Sequence, residues 1–273
     1  WAEPAGGAAR AGPAPLGVVV PRLPGIAQVY ADFLAAVSAD AECTAVCVAW
    51  SGQHRVPAHL RAATKEGPMS LQEHASFMIT AITELCSLPW VGRVVLVGQS
   101  LGCWFAARAL DSLDGSGLGT RVAAVCLLCP VMLDVPTLPR AQRLQRPLRL
   151  AHGLGLARGA RLASLALPAP AGAALLHGIW WLRGKAGRSE GDRALWAALV
   201  QHLQLGALER ALALALEALG ALGAPGAWLA ALRARGPRVL LAFAEGDGWT
   251  PPALRQRLEG PRGPAGGPDG PAP

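Results

Sequence analysis

The sequence contains a single tyrosine and no recognisable nucleic-acid-binding motif. Its net charge of +7 therefore does not point to DNA or RNA, whose readers combine basic charge with characteristic motifs and aromatic stacking. A zinc site is not indicated either. The six histidines are scattered, and Cys126-Leu-Leu-Cys129 has no second pair at metal spacing. A strand would also place those two side chains on opposite faces. Cys43, Cys47, Cys86, Cys103, Cys126 and Cys129 are expected to be free thiols, mostly buried, in a reducing compartment. No metal and no cofactor is called for. The N-terminal stretch lacks a basic region followed by an apolar core, so no signal peptide is read there. The chain opens on Trp1 rather than Met, which reads as a fragment edge.

The charge that is present is unevenly spread. Residues 1–130 carry 8 Lys/Arg and 9 Asp/Glu, residues 131–236 carry 13 and 5, and residues 237–273 carry 4 and 4. The whole excess falls in one apolar middle segment. Basic charge beside apolar surface suggests an anionic membrane or lipid interface.

Residues 1–15 and 260–273 are Ala/Gly/Pro-rich and are expected to be disordered or of low complexity. Between them the periodicity alternates. Strands are predicted at Leu16–Val20, Thr44–Trp50, Arg93–Val97, Val122–Leu128 and Arg238–Phe243. Ile26, Val29, Tyr30, Phe33, Leu34 and Val37 recur at helical spacing. Ser70-Leu-Gln-Glu73 is a capping box, followed by a helical face of Leu71, Ala75, Met78, Ile79, Ile82 and Leu85. Another helix is predicted over Leu101–Leu110. Such alternation implies a mostly parallel sheet with helices on both faces. Residues 137–236 interrupt it with long Ala/Leu-rich helical stretches. The predicted organisation is a core over 16–136, a helical cap insertion over 137–236, and the rest of the core over 237–259.

One motif carries chemistry. Val94-Val-Leu-Val-Gly98-Gln99-Ser100-Leu101-Gly102 is G-x-S-x-G between a strand and a helix, the context in which that motif forms a nucleophile elbow. The two glycines leave room for neighbouring strand and helix, and the turn projects the Ser100 hydroxyl. The helix N-terminus offers amides to an oxyanion, Leu101 first. A second donor is expected after the first strand, in Pro21-Arg22-Leu23-Pro24-Gly25. Pro24 has no amide, so Arg22 or Leu23 would serve, with Leu23 preferred, and an ordinary Pro-Gly turn is the equal alternative. The acid is assigned to Asp247, on the turn after the last strand. Glu245 and Asp134 are the alternatives, and a plain turn-forming Asp is the bland reading.

No histidine follows Asp247, where the order Ser…Asp…His would place one. His74 reads as a solvated face residue of the capped helix. His152, His177 and His202 fall in the cap, and His54 and His59 follow the second strand, on the side where such a sheet builds its pocket. Spacing assigns none of them as base.

On these residues the chain resembles the lipid-droplet-associated hydrolase family, an α/β-hydrolase group. Val18–Gly25 is similar to that family's I-P-G-N-P-G segment, with Arg22 and Leu23 in place of Gly and Asn and with Tyr30 and Phe33 following. Ser51-Gly-Gln-His54 resembles its H-A-G-H loop. Ser70–His74 resembles its S-L-x-x-Q-x-x-H region, and Gln99 stands where His is usual. Gly246–Pro251 resembles its D-x-W-x-P acid turn. The resemblance implies an α/β-hydrolase fold and a serine hydrolase of neutral-lipid or sterol esters. It implies an acyl-enzyme on Ser100, Asp247 as acid, and His54 and Gln99 in the pocket. It also implies a lipid-droplet surface location with a cytoplasmic and endoplasmic-reticulum pool, in lipid storage and turnover. The family's histidine lies beyond the acid turn, where this chain has its low-complexity tail. A truncated sequence and an inactive relative that binds lipid surfaces both remain open, as does a soluble esterase or thioesterase for small acyl groups.

Leu162–Leu182 is 21 residues without a formal charge, flanked by Arg161 and Arg183. Its length suits a membrane span, but Pro168 and Pro170 argue against one straight helix. With Trp180 and Trp181 near one end it reads as an interfacial or monolayer-dipping segment, the alternative being a lid folded over the site. Arg140, Arg143, Arg146 and Arg149 just upstream are expected to meet anionic head groups.

Overall fold

The computed structural model of the chain describes residues 13–51, 69–165, 206–223 and 226–259. Five strands, β1 (Ala14–Val20), β2 (Thr44–Cys47), β3 (Val91–Gln99), β4 (Val122–Leu128) and β5 (Val239–Ala242), form one sheet in the order β2-β1-β3-β4-β5. Every pairing is parallel. The predicted parallel sheet is thus present, with each strand within a few residues of its expected place. β1 begins at Ala14, inside the stretch 1–15 expected to be disordered, because the Ala14 amide donates to the Trp90 carbonyl at 2.8 Å and the ladder captures the chain early.

The central strands alternate in burial. Val94, Leu96, Val125 and Leu127 are fully buried, whereas Val95, Val97, Cys126 and Leu128 are half-buried. The deep side is filled by α2 (Leu71–Ser87) and α3 (Leu101–Gly115), which contribute Met78, Ile82, Phe105, Leu110 and Leu113. Each such side chain contributes about 1.5–3 kcal/mol by leaving water. The capping box starts α2 as expected. The Glu73 amide donates to Ser70 Oγ at 3.2 Å, and the Ser70 amide donates to Glu73 Oε2 at 2.8 Å. Ala27–Tyr30 forms a 3-10 turn leading into α1 (Ala31–Asp40). Ile26 and Tyr30 are buried there, while Val29 and Phe33 remain 40% exposed.

Between β4 and β5 the described elements are helical, namely α4 (Pro139–Gly153), α5 (Leu156–Leu165), α6 (Ala207–Ala221) and α7 (Ala227–Ala234). The expected cap insertion, residues 137–236, includes helix α7. Helix α7 packs on α3 with Trp228, Leu229 and Leu232 buried in the main core, so it is a core helix. Its apolar face is indistinguishable by periodicity from a lid helix, and only packing separates the two. Helix α6 packs on α4 and reaches the core, where Glu217 Oε2 accepts the Leu71 amide at the start of α2 at 2.8 Å. A short helix α8 (Pro252–Glu259) follows the last strand, with Leu254 and Leu258 buried. No helix among the described residues is long and apolar enough to cross a membrane. Most of the charge-free stretch Leu162–Leu182 lies outside the described residues.

Candidate active site

Parallel strands put all their carboxyl ends on one edge, where open α/β sheets build their sites. Along that edge lie the loop from Pro21 after β1, Trp50 after β2, Ser100 after β3, Cys129–Asp134 after β4 and Ala244–Thr250 after β5. Ser100 has φ 54° and ψ −120°, a backbone conformation that costs about 1–3 kcal/mol and persists only where the surroundings enforce it. They do so through three bonds. The Ser100 amide donates to the Leu128 carbonyl at 2.9 Å, and its carbonyl accepts from Cys103 at 3.1 Å and Val131 at 3.2 Å.

The two glycines of the motif are required by close approach. A Cβ on Gly98 would sit 2.6 Å from the Cys103 Cα, and one on Gly102 would sit 2.2 Å from the Val20 carbonyl oxygen. Helix α3 thus starts against the end of β1, which places its first-turn amides beside the loop expected to give the second oxyanion donor. Neither the Leu101 nor the Leu23 amide has a hydrogen-bond partner among the described residues. The Arg22 amide, by contrast, donates to the Tyr30 hydroxyl at 2.9 Å. Of the two candidates in that loop, Leu23 is the one left with an amide to offer. Gln99 is half-buried, and its Oε1 accepts a hydrogen bond from the Tyr30 hydroxyl.

The acid turn is equally fixed. Asp247 Oδ1 accepts the Trp249 amide at 3.0 Å, and Oδ2 lies 3.1 Å from the Thr250 hydroxyl. That hydroxyl is buried and lies closer, at 2.7 Å, to the Pro130 carbonyl. Because the Val131 amide holds Ser100, one peptide links the acid turn to the elbow. The other two carboxylates at this edge are differently engaged. Asp134 is ion-paired with Arg257, and Glu245 is exposed. Arg140 lies over the Trp249 ring at 5.5 Å. Arg140 is exposed and lies beside the turn that carries Asp247.

The histidines divide differently from the sequence reading. His54, His59, His177 and His202 lie outside the described residues. His152 is exposed near the end of α4. His74, expected on a solvated face, is only 1% exposed. Its ring centroid is 5.9 Å from that of Trp50, and its Nδ1 has no partner among the described residues. Burial pushes its pKa down to about 4, so it is neutral. The helix turns His74 inward because it follows the buried Leu71 by three positions, a spacing that shares one face. Neither described histidine bonds to Ser100 or Asp247.

The thiols are unpaired, as expected. Burial raises Cys47 to about 12 and Cys86 to about 11, which suppresses the reactive thiolate. Two residues with no site role in the sequence reading, Tyr30 and Thr250, make the connections at this edge. Their only sequence signals are the single tyrosine and a threonine three residues after the acid.

The family described as lipid-droplet associated hydrolase matches this chain over residues 13–265. No match is found among curated proteins. Among solved structures, a carboxylesterase of the ammonia-oxidizing thaumarchaeon Nitrososphaera gargenis is similar in fold. It is 14% identical, with a TM-score of 0.54, over 90% of this chain and 77% of that one. A bacterial heroin esterase aligns over 46% of this chain and 38% of its own, at 19% identity and a TM-score of 0.32. The first likeness, together with the parallel sheet, assigns the α/β-hydrolase fold.

Proposed function

Because the chain belongs to the lipid-droplet associated hydrolase family, we propose that it is a serine ester hydrolase of neutral-lipid or sterol esters, acting in lipid storage and turnover. The observation that carries this is the strained Ser100 between β3 and α3, with uncommitted Leu101 and Leu23 amides close by in the fold. Ser100 Oγ attacks the ester carbonyl and gives up its proton to a base. The carbonyl oxygen becomes an oxyanion held by the Leu101 and Leu23 amides, the alcohol leaves, and water then releases the acyl group from Ser100. Asp247 orients the base and stabilises its charged form. Among this sequence's histidines, His54, His59, His152, His177 and His202 are the candidates for that base.

The test is labelling of the protein with a fluorophosphonate, which reacts with an activated serine. Labelling that disappears in Ser100→Ala supports the reading. An unlabelled wild type, or a Ser100→Ala variant labelled equally, overturns it.

A second reading is favoured by a specific observation, an exposed face that combines arginine and leucine without a carboxylate. Here the chain is a catalytically impaired hydrolase that binds a lipid-droplet or endoplasmic-reticulum surface. Its contact face is α4–α5. Arg143, Arg146 and Arg149 are exposed and line an open groove of about 590 Å3 along α4 with Gln142 and Gln145. Leu150, Leu154, Leu156 and Leu162 are 57–64% exposed beside them. Residues 139–165 contain no Asp or Glu. Arginine next to exposed leucine suits anionic head groups over an apolar interior. Droplet association that survives Ser100→Ala, in a protein without ester turnover, would select this reading.

A further inference from the structure

The Tyr30 phenol joins the loop after β1 to the residue before Ser100, and the direction of its hydrogen bonds is forced. The Arg22 amide can only donate, and it does so to the Tyr30 hydroxyl at 2.9 Å. Gln99 Oε1 can only accept, so it takes the one hydroxyl proton. The chain therefore runs Arg22 N–H to Tyr30 O–H to Gln99 Oε1. It spans from residue 22 to the last position of β3, next to Ser100. The ring is 9% exposed, so water does not readily substitute for either bond. A phenylalanine would fill the same volume and make neither link. Burial also raises the hydroxyl pKa above its usual value of 10, which keeps the proton in place at neutral pH.

We propose that Tyr30 is a positioning residue for the oxyanion site, withdrawing the Arg22 amide and tying its loop to Gln99 so that Leu23 supplies the second donor. This rests on the reading of Ser100 as nucleophile. The bond to Arg22 fixes the Pro21–Arg22 peptide, one before the peptide that carries the Leu23 amide, and the bond to Gln99 fixes it relative to the elbow. Oxyanion donors act through preorganisation, so a loop free to shift loses rate while its affinity for the acyl group is retained.

Because Tyr30 is the single tyrosine, the full chain labelled with 13Cζ-tyrosine gives one tyrosine NMR signal. Gln99→Leu should move that signal and lower the phenol titration midpoint, since the neutral phenol loses its acceptor. Fluorophosphonate inactivation is then followed at several probe concentrations. Tyr30→Phe and Gln99→Leu should lower the limiting rate by about ten- to a hundredfold. The half-saturating concentration should stay near wild type, while the urea midpoint falls, because each variant leaves a buried polar group unpaired.

An unmoved tyrosine signal in Gln99→Leu overturns the link. A moved signal with wild-type inactivation of Tyr30→Phe, while Ser100→Ala stays unlabelled, overturns the positioning role and leaves the nucleophile standing. A wild type that is not labelled, or a Ser100→Ala variant that is, overturns both.

Discussion

The Thr250 hydroxyl lies 2.7 Å from the Pro130 carbonyl oxygen, wholly out of solvent. Pro130 precedes Val131, whose amide holds the Ser100 carbonyl at 3.2 Å. Thr250 is also the neighbour of Asp247 Oδ2. The acid turn and the serine turn are therefore positioned by one strand-end loop, although 147 residues separate Ser100 from Asp247 in sequence.

Replacing Thr250 by valine keeps the shape and removes the hydroxyl. It leaves a buried carbonyl unpaired, which costs about 1–3 kcal/mol. The urea midpoint of Thr250→Val should fall accordingly, with serine labelling reduced as well. Thr250→Ser should restore both. A valine variant as stable as wild type would show that the Pro130 carbonyl is satisfied in some other way.

Stability should decline on the acid side because of His74. Its folded pKa, about 4, is depressed from 6.5, so between these values the unfolded chain binds a proton that the folded chain does not. Stability is complete above pH 6.5, falls as the pH drops toward 4, and levels off below. The loss attributable to this one group is about 3 kcal/mol. Urea midpoints at pH 7.5 and 4.5 should differ strongly in wild type and much less in His74→Leu. Equal differences in the two proteins would assign the acid sensitivity elsewhere.

The arginine face of α4 makes a prediction about lipid surfaces. Each arginine near an anionic surface is worth about 1 kcal/mol, so Arg143→Ala/Arg146→Ala should weaken binding to phosphatidylserine-containing vesicles by about thirtyfold. Binding should also fall as salt rises, because the surface field is screened within about 10 Å at 0.1 M. Arg140→Ala should act differently, loosening the acid turn through Trp249 with little effect on vesicle binding. Sedimentation with vesicles of matched zwitterionic and anionic composition reads all three variants. Equal binding to both compositions would remove the electrostatic role.

Much of this was legible in the residues because the signals are local. The strand before Gly98 and the helix after Gly102 identify the elbow from a run of apolar residues, two glycines and a serine. Ser70 and Glu73 announce the start of α2 because a capping box closes within three residues. The D-x-W-x-P turn marked Asp247. Where the reading went astray, the deciding contact came from far along the chain. His74 looked exposed because the burial of its face depends on Trp50 and on α6. Helix α7 looked like cap because its apolar stripe does not say which helix it meets.

The sequence by itself determined the order of strands and helices, the serine turn and the carboxylate that follows β5, because each rests on periodicity or on hydrogen bonds closing within a few residues. Tertiary structure alone decided which groups meet. It brings the Tyr30 hydroxyl to the Arg22 amide and Arg257 to Asp134. Buried polar groups must find partners somewhere, and those of the Tyr30 and Thr250 hydroxyls, Gln99 and Pro130, lie 69 and 120 residues away along the chain.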